Sequence, residues 1–429
     1  MLDIKLIREN PDLIRNNLKK RGDPENLKML DALIEFDKQW RQGLTRLNEL
    51  RHRRKEITTQ IATAKKNGKD AQTEITQAKT MDNEITALEK EVTEYEGKEH
   101  NLLLRLPNLL HESVPQGKDE NDNQEIRRWG KPPKFKFAPK GHVELGLALD
   151  IIDIERAGKI AGARFFYLKN EGVLLDNAII QFALEQMINK GYTPIEPPYL
   201  MHRKLYEGVV ALADFEDVLY KIENEDLYLI ATSEHPMAAM YMDEVLKAED
   251  LPLKLAGQST NFRKEAGAHG KDTRGIFRTH QFNKVEQFIF TKPETSWQLH
   301  EELIQNAEEL TQKLSLPYRI VNVCTGDIGT VAAKKYDLEA WMPAQNAYRE
   351  LHSCSNCTDY QTRRLNIRYR EKEGGAPQGF VHTLNSTAFA TGRTIVAILE
   401  NYQKEDGSVT IPEPLRKYML GIKEISPKR

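Results

Sequence analysis

Cysteine is scarce in this chain, with three residues among 429. So small and odd a number excludes a disulfide framework as the basis of the fold. A long apolar run is also missing, which excludes a membrane-spanning helix. The first residues, Met1–Lys5, have neither the apolar core of a signal peptide nor an arginine-rich, acid-poor transit pattern. We therefore expect a soluble, cytoplasmic protein.

An excess of charge of either sign is absent as well. The 62 lysines and arginines nearly balance the 64 aspartates and glutamates, which gives a formal net charge of −2. A nucleic-acid partner would therefore have to be bound by a local basic patch. The length of the chain is sufficient for a large core and for two domains.

Two long stretches near the N-terminus have the spacing of a coiled coil. In each, the seam residues recur at alternating intervals of three and four, and in the first stretch only Gly43 and Arg54 interrupt the apolar seam. A turn-like segment, 66–70, separates the two stretches. The pattern predicts an antiparallel coiled-coil hairpin. The two seams are Leu33, Phe36, Trp40, Gly43, Leu47, Leu50, Arg54, Ile57, Ile61 and Ala64, and then Ala78, Met81, Ile85, Leu88, Val92, Tyr95, Glu99 and Leu102.

The two limbs of this hairpin differ in charge. Basic residues dominate 41–69, and acidic residues dominate 70–99. Two interpretations remain open: the limbs neutralise each other, or the basic limb binds the phosphate backbone of a nucleic acid. A-form RNA would then be recognised mainly by its shape. The candidates for such a contact are Arg51, Arg53, Arg54 and Lys55.

The segment from Thr260 to Phe290 concentrates chemically active side chains. Residues on either side of a glycine-rich, charged loop alternate with period two, which predicts the two strands of a hairpin. Arg263 and Glu265 would share a face of the outgoing strand. Another alternating set would share a face of the return strand: Phe282, Lys284 and Glu286.

If these faces align, one surface carries an arginine, two carboxylates and an aromatic ring. A guanidinium can bind a phosphate through two hydrogen bonds, a phenyl face can stack on a base, and a carboxylate can accept from an exocyclic amine. The alternative is a solvated hairpin with cross-strand ion pairs. The intervening loop favours a nucleotide site through Gly267, Gly270, Arg274, Gly275 and Arg278.

These residues carry a family resemblance. Phe262-Arg263-x-Glu265, a loop with Thr273-Arg274-Gly275, and His280-Gln281-Phe282-x-Lys284-x-Glu286 resemble the second signature motif of class II aminoacyl-tRNA synthetases. In detail they resemble the seryl-tRNA synthetases. The helical pattern 174–190, followed by a strand and Pro198, is similar to the first motif, which lies at a dimer interface. The block 383–393, followed by an apolar helical face, is similar to the third motif and places Arg393 in a first helical turn.

The resemblance implies roles around ATP. Arg263 would contact the α-phosphate and Arg393 the γ-phosphate, while Glu265 would read the adenine amine and Phe282 would stack on its ring. Thr279 would add a backbone contact. The complete set of implied ATP contacts is Arg263, Lys264, Glu265, Thr279, Phe282, Glu350, Leu351, His352, Ser353 and Arg393.

Glu350 and Ser353 are implied to bind a Mg²⁺ ion that bridges the ATP phosphates. Hard oxygen ligands of this kind suit Mg²⁺. The two residues are three positions apart on a predicted strand, so a regular strand would point them to opposite faces. We therefore expect a bulge or bend between them.

Serine is the implied amino acid. Thr232 and Glu234 end an apolar strand and would bind its ammonium group, although a Thr-x-Glu sequence is also typical of a capped helix start. The implied serine contacts are Thr232, Ser233, Glu234, Arg263, Glu286, Asn385 and Thr387.

A Cys-x-x-Cys sequence, Cys354 to Cys357, is half of a zinc-binding pattern. No second pair accompanies it, and Cys324 stands alone. We favour the interpretation that Cys354 and Cys357 are two reduced, partly buried thiols.

The expected fold is therefore an α+β class II synthetase-like antiparallel sheet with flanking helices, preceded by the coiled-coil hairpin. The expected boundaries are a tRNA-binding arm at 1–105, a proline-rich linker at 106–140 and a catalytic domain at 141–429. The expected partners are a second copy of the chain, serine, ATP with Mg²⁺, and tRNA(Ser), with tRNA(Sec) as a further candidate.

The reaction that the resemblance implies is ATP-dependent activation of serine to seryl-adenylate and transfer of serine to the 3′ end of the tRNA. Two alternatives remain open. A ligase that loads an amino acid on a carrier protein would lack the arm, so the heptads argue against it. A non-catalytic paralogue would have lost charged motif residues, and none of those named is missing.

Overall fold

The computed structural model describes residues 1–211, 216–265 and 274–428. The chain divides into two compact units, Met1–Pro107 and Asn108–Arg429. Three residues of the predicted loop, Gly267, Gly270 and Thr273, lie outside the described residues.

The first unit is helical, and its two long helices confirm the predicted hairpin. Short helices begin after Asp3 and Asn10, whose side chains accept from backbone N–H groups of the first turn. The long helix α3 begins with a proline after the cap residue Asp23, which is a favoured start. The helices are α1 (Ile4–Glu9), α2 (Pro11–Lys20), α3 (Pro24–Lys66) and α4 (Gln72–Arg105).

Both interruptions of the predicted seam are explained by contacts between α3 and α4. A Cβ atom at Gly43 would lie 2.9 Å from Cγ2 of Val92, so glycine permits close packing at this point. The guanidinium of Arg54 is paired with Asp82 of α4 at 2.7 Å. A small residue and an ion pair therefore replace two apolar contacts.

Cross-hairpin ion pairs involve only part of the basic limb. Arg51 pairs with Glu89 at 2.8 Å, as Arg54 does with Asp82. These two ion pairs are the contacts that the neutralisation interpretation expects. Arg53 and Lys55 are exposed and form no salt bridge with any residue of the described ranges. Their charges remain available to a partner.

Within the described residues, the second unit is built on an eight-stranded sheet with the order β1-β10-β11-β12-β15-β9-β8-β4. Its strands pair antiparallel except for β4 and β8, which are parallel. The strands of this sheet are β1 (Gln124–Trp129), β4 (Thr193–Ile195), β8 (Leu253–Phe262), β9 (Gln281–Thr291), β10 (Tyr318–Asn322), β11 (Lys334–Met342), β12 (Ala347–Thr358) and β15 (His382–Ala390).

Within the described residues, the smaller strands form one three-stranded sheet, β14-β13-β7, and three two-stranded sheets. These strands are β2 (Ile152–Asp153), β3 (Tyr167–Leu168), β5 (Leu200–Met201), β6 (Tyr228–Leu229), β7 (Val245–Lys247), β13 (Arg368–Arg370), β14 (Gly379–Phe380), β16 (Val409–Thr410) and β17 (Glu424–Ile425).

Helices cover the sheet, and their apolar sides build the main core with buried side chains of β9, β11, β12 and β15. Helix α10 packs on β12 and β15, and α12 packs on α7 and β11. The helices of this unit are α5 (His142–Ala148), α6 (Ile154–Ala161), α7 (Glu171–Asn189), α8 (Arg203–Val209), α9 (Glu234–Ala239), α10 (Ser296–Lys313), α11 (Tyr360–Leu365) and α12 (Thr391–Asn401). No helix in the described ranges is long and apolar enough to cross a membrane.

Three elements differ from the sequence-based expectation. The stretch predicted as a linker contains β1, which pairs with β10 and stacks Trp129 on Tyr318 at a centroid distance of 5.9 Å. The sequence from Met237 to Leu246 has a helix-like pattern, but the helix ends at Ala239, and 245–247 forms a strand parallel to β13. The outgoing strand of the motif hairpin ends at Phe262, before Arg263.

Two glycines in helix interiors allow a test of the arm packing. Gly97→Ala should stabilise α4 by about 0.5–1 kcal/mol, because alanine has the higher helix propensity and a Cβ there meets no atom within 4 Å. Gly43→Ala gains the same propensity but forces a Cβ against Val92, and overpacking of this kind costs about 1–3 kcal/mol. Amide hydrogen exchange of α3 and α4 in the full-length protein should slow in the first variant and accelerate in the second. Slower exchange in both variants would contradict the tight packing at Gly43.

Candidate active site

A cavity of about 660 Å³ lies against the central sheet of the second unit. This volume is within the usual range for small-molecule sites. Its walls come from the β8–β9 hairpin, from β12 and β15, and from the starts of α9 and α12. The structure brings together these candidates from the sequence: Thr232, Glu234, Arg263, Glu265, Thr279, Phe282, Glu286, Glu350, Leu351, Ser353, Asn385, Thr387 and Arg393.

Three predicted contacts do not reach the cavity. Ser233 is fully buried, and its Oγ donates to the carbonyl of Gly257 at 3.1 Å. The ammonium of Lys264 lies 5.9 Å from the ring centroid of Tyr220. His352 faces the other side of β12, where its Nε2 lies 3.0 Å from Oγ1 of Thr311. We therefore remove these three side chains from the set of ligand contacts.

A bulge in β12 brings Glu350 and Ser353 to the same wall. The register with β11 shifts so that Glu339 opposes Glu350 while Leu338 opposes His352, which makes Leu351 the extra residue. Both Glu350 and Ser353 line the cavity in consequence. The predicted bulge is confirmed.

Glu350 is paired with Arg393, which lies in the first turn of α12. One guanidinium nitrogen, Nη1, is 3.2 Å from the Glu350 carboxylate and donates to its carbonyl at 3.1 Å. Burial alone would raise the pKa of Glu350, but Arg393, Lys335 and Arg263 together lower it to about 2. The Glu350 carboxylate is thus ionised at neutral pH.

Arg263 is held directly after the end of β8. Its backbone N–H donates to the carbonyl of His280 at 2.9 Å, and its Nε donates to the carbonyl of Ala231 at 3.1 Å. The guanidinium lies 5.1 Å from the ring centroid of Phe282. Backbone pairing across the hairpin therefore continues one residue beyond the strand and orients Arg263.

Glu265 does not share a strand face with Arg263, in contrast to the expectation from the sequence. Its backbone has a φ of 48°, so the chain turns here. The Glu265 carbonyl accepts from Arg164 at 3.0 Å, and its carboxylate lies 3.9 Å from Nε of Arg278. The turn still leaves Glu265 in the cavity wall.

Another part of the cavity carries a compensated cluster of charged and polar groups. The carboxylate of Glu286 is paired with the ammonium of Lys284 and accepts from Oγ1 of Thr387 at 3.4 Å. Glu234 accepts from Nε2 of Gln361 at 3.1 Å. Thr232 Oγ1 accepts from the backbone N–H of Glu234 at 3.2 Å, but the cap position of α9 is Ser233, so Thr232 is not the capping residue.

The pKa of Glu234 is unusually high for a glutamate. Burial and, to a smaller extent, the neighbouring Glu286 raise its pKa, and Lys284, Gln361 and Arg263 lower it, with the net result that the pKa is about 7. The carboxyl group therefore changes its charge near neutral pH unless a cation lies beside it.

The two cysteines of the Cys-x-x-Cys sequence point to different sides of β12. Cys354 Sγ lies 3.7 Å from the carbonyl of His300, whereas Cys357 lines the cavity. They cannot share a metal ion in this arrangement. Burial raises the pKa of both thiols, which supports the interpretation as reduced thiols.

Sequence reasoning missed several cavity residues. Cys357 was interpreted as a buried thiol, and nothing in its spacing showed that it lines the site. Phe277, whose ring lies 5.0 Å from the Arg393 guanidinium, belongs to no periodic pattern. The segment 328–332 lies in a loop far from every motif in the sequence. Long-range packing places all of them.

Family models match both parts of the chain. Residues 1–110 match the seryl-tRNA synthetase N-terminal domain. Residues 218–402 match the tRNA synthetase class II core domain of the glycine, histidine, proline, serine and threonine enzymes.

Similar proteins share nearly the whole chain. A serine–tRNA ligase from Methanocella arvoryzae is 54% identical over 422 residues, which are 98% of this chain and 99% of that protein. The crystal structure of seryl-tRNA synthetase from Pyrococcus horikoshii complexed with ATP is 52% identical, with a TM-score of 0.95 and coverage of 100% of both chains. The cytoplasmic serine–tRNA ligase from Naegleria fowleri in complex with AMP is 36% identical, with a TM-score of 0.89, and the match covers 100% of this chain and 99% of that chain.

The raised pKa of Glu234 predicts a pH-dependent stability. Because the folded state binds this proton more tightly than the unfolded chain, the stabilisation is complete below the ordinary glutamate pKa of 4.5 and is lost as the pH rises through about 7. Glu234→Gln removes this loss. The free energy of unfolding of the variant, minus that of the original chain, should therefore increase between about pH 5 and pH 8. Urea unfolding at several pH values measures it, with the exposed Glu373→Gln as control, and equal pH dependence in both variants would contradict the assignment.

Proposed function

This chain belongs to the seryl-tRNA synthetase family of class II aminoacyl-tRNA synthetases, and from that premise we propose that it is a serine–tRNA ligase. It activates serine with ATP to seryl-adenylate and diphosphate, and then transfers serine to the 3′-terminal ribose of tRNA(Ser) with release of AMP. A second candidate for the acceptor is tRNA(Sec). The observation that carries the proposal is one cavity that joins Arg263, Arg393 and Glu350 to the polar cluster of Glu234 and Glu286. Phosphate groups suit the former set, and a small zwitterion suits the latter.

The phosphate groups of ATP are assigned to the arginines. Arg263 neutralises charge on the α-phosphate, and Arg393, near the positive end of α12, binds the γ-phosphate. Phe282 stacks on the adenine ring beneath the guanidinium of Arg263, and Glu265 accepts from the adenine amine. The backbone at Thr279 and Leu351 completes this part of the wall.

The residues present fit a magnesium ion. The bulge in β12 presents the Glu350 carboxylate, which stays ionised, and the Ser353 hydroxyl on one wall. These hard oxygen donors, completed by phosphate and water oxygens, are the ligands that Mg²⁺ prefers. When bound, the ion would neutralise charge on the phosphate oxygens.

Adenylation needs positioning and charge neutralisation rather than a general base. The carboxylate of serine is already ionised near neutral pH, so its oxygen can attack the α-phosphorus directly. A new oxygen–phosphorus bond forms, and the bond from the α-phosphorus to the bridging oxygen breaks with release of diphosphate. Arg263 and Arg393 stabilise the charge that develops on the α-phosphate and on the leaving group.

The amino-acid pocket recognises both ends of serine. Thr232 and Glu234 bind the ammonium group, whose charge keeps Glu234 ionised. Around the hydroxyl lie Glu286, Asn385 and Thr387. Alanine would leave these buried polar groups unpaired, and a site of this kind discriminates by about 10⁴–10⁵. Threonine has to be excluded by the shape of the pocket.

The first unit, Met1–Pro107, serves as the tRNA-binding arm that was expected over 1–105, and catalysis belongs to the second unit, Asn108–Arg429, which also contains most of the stretch 106–140. A homodimer is supported by large apolar side chains that remain exposed near the first motif. They are Leu147, Ile160, Tyr167, Val173 and Ile188, with exposed fractions between 42% and 74%.

Amino-acid-dependent exchange between ATP and diphosphate tests the activation step. With all standard amino acids assayed separately, serine should support exchange and the others should not. Arg263→Ala and Arg393→Ala should each lower this exchange by about 10²-fold or more, since each removes charge stabilisation from the transition state. Arg156→Ala, which breaks a surface ion pair with Asp153, is the matched control. Exchange with a different amino acid, or normal exchange in either cavity variant, would contradict the proposal.

The arm is tested by two matched double variants. Arg53→Ala with Lys55→Ala removes two charges that have no salt bridge in the described ranges. The affinity for tRNA should fall, and the salt dependence of that affinity should become less steep by the contribution of about two charges. Arg51→Ala with Arg54→Ala removes charges already paired with Glu89 and Asp82, so a smaller effect is expected.

Serine-dependent exchange is the control in both cases and should be unchanged, because every proposed catalytic residue lies after Ala231. If both double variants bind tRNA with the same affinity and salt dependence as the original chain, the basic limb serves only to neutralise the acidic limb. Binding of tRNA is measured at several salt concentrations.

A further inference from the structure

Asn108, the first residue of the second unit, has a buried side chain that no proposed step uses. Only 4% of it is exposed. Its Nδ2 donates to the carbonyl of Val331 at 2.9 Å, to the carbonyl of Cys357 at 2.8 Å and to Oγ1 of Thr358 at 3.1 Å. Its backbone N–H also donates to the carbonyl of Thr330 at 2.8 Å.

These acceptors belong to two separate parts of the cavity wall. Thr330 and Val331 lie in the segment 328–332, which lines the cavity, and Cys357 lines it from β12. One amide group therefore connects a loop and a strand that are separate in the sequence. Few side chains other than asparagine place two donor hydrogens on so short a stem.

The strand is irregular where Asn108 binds it. The register of β12 with β15 shifts between Asn356 and Thr358, which leaves Cys357 without a direct partner in β15. Thr358 has a φ of 49°, an unfavourable backbone conformation for a β-branched residue. Such a conformation persists when surrounding contacts fix it, and Asn108 supplies two of them.

The position of Cys357 matters to the pocket because its Sγ accepts from Nδ2 of Asn385 at 3.6 Å. Asn385 is one of the residues assigned to the serine hydroxyl. A continuous series of contacts thus leads from Asn108 through the Cys357 backbone and thiol to the serine pocket.

We propose that Asn108 is a positioning residue of the serine pocket, which holds the Cys357 bulge against the segment 328–332 and thereby sets the place of Asn385. The inference rests on the proposed function. It assigns no contact between Asn108 and a substrate.

Asn108→Ala removes the donor and leaves two buried carbonyls and a hydroxyl without it. The expected result is a rise of about 10-fold in the KM for serine in ATP–diphosphate exchange, because displacement of a positioning group by a fraction of an ångström has effects of this size. The KM for ATP and kcat should change by less than about threefold. This separation distinguishes positioning of one pocket from general loss of structure.

Asn322→Ala is the matched control. Asn322 is equally buried, at 5% exposed, and its Nδ2 donates to the carbonyl of Ser113 at 2.7 Å, so it fixes the same chain segment away from the cavity. With the unfolding free energies of both variants measured, only Asn108→Ala should raise the KM for serine. Equal effects of the two variants, or equal rises in the KM for serine and for ATP, would overturn the inference.

Thr358 provides a second pair of variants if Asn108→Ala does not fold. Thr358→Ser keeps the hydroxyl that accepts from Asn108, whereas Thr358→Ala removes it. The KM for serine should rise in the alanine variant alone, and the same KM in both variants would overturn the inference. Absence of serine-dependent exchange in the original chain would instead contradict the proposed function itself.

Discussion

Charged groups that line one cavity wall are paired with groups of the opposite sign, and this constraint governs the arrangement of the cavity. Arg393 neutralises Glu350, and Lys284 neutralises Glu286. An uncompensated charge at the buried Glu286, whose side chain is 2% exposed, would carry a large desolvation cost, whereas the Glu350 side chain is 45% exposed. The central sheet meets this constraint because its strands fix the separation of side chains on one face. The same rigidity keeps the groups ready for a charged ligand.

The central sheet is irregular at the strands that line the cavity. Three register shifts occur in its central strands: beside Leu351 in β12, beside Cys357 in β12, and between Thr387 and Phe389 in β15. Each lies next to a residue that lines the cavity. A regular ladder would send Glu350 and Ser353 to opposite faces, so each interruption in backbone pairing has the effect of redirecting a side chain. The surrounding regular pairs keep these bends in place.

Local patterns were sufficient to predict the parts of the fold that depend on local spacing. The heptads predicted α3 and α4, and alternation around the loop predicted the pairing of β8 with β9. The bulge near Leu351 could also be predicted, because two side chains with one implied ligand stood three residues apart. Strand pairing between residues far apart in the sequence could not be predicted from local patterns. The strand β1 lies in a proline-rich stretch and depends on β10, almost 200 residues later, and the side of β12 that His352 faces follows from Thr311 in α10. Cys357 lines the cavity at a register shift between β12 and β15, and no local sequence pattern predicts this shift.

In the proposed site, ligand binding would change the partners of the ion pair between Arg393 and Glu350. If ATP and a divalent cation bind as proposed, one internal ion pair would be replaced by two external ones, with the arginine paired to phosphate and the carboxylate to the cation. ATP alone would free an unmatched carboxylate beside its own negative charge, and the cation alone would free an unmatched guanidinium. The affinities for the two are therefore linked thermodynamically, each increasing in the presence of the other. The proposed site would therefore favour the metal–nucleotide complex over either component alone.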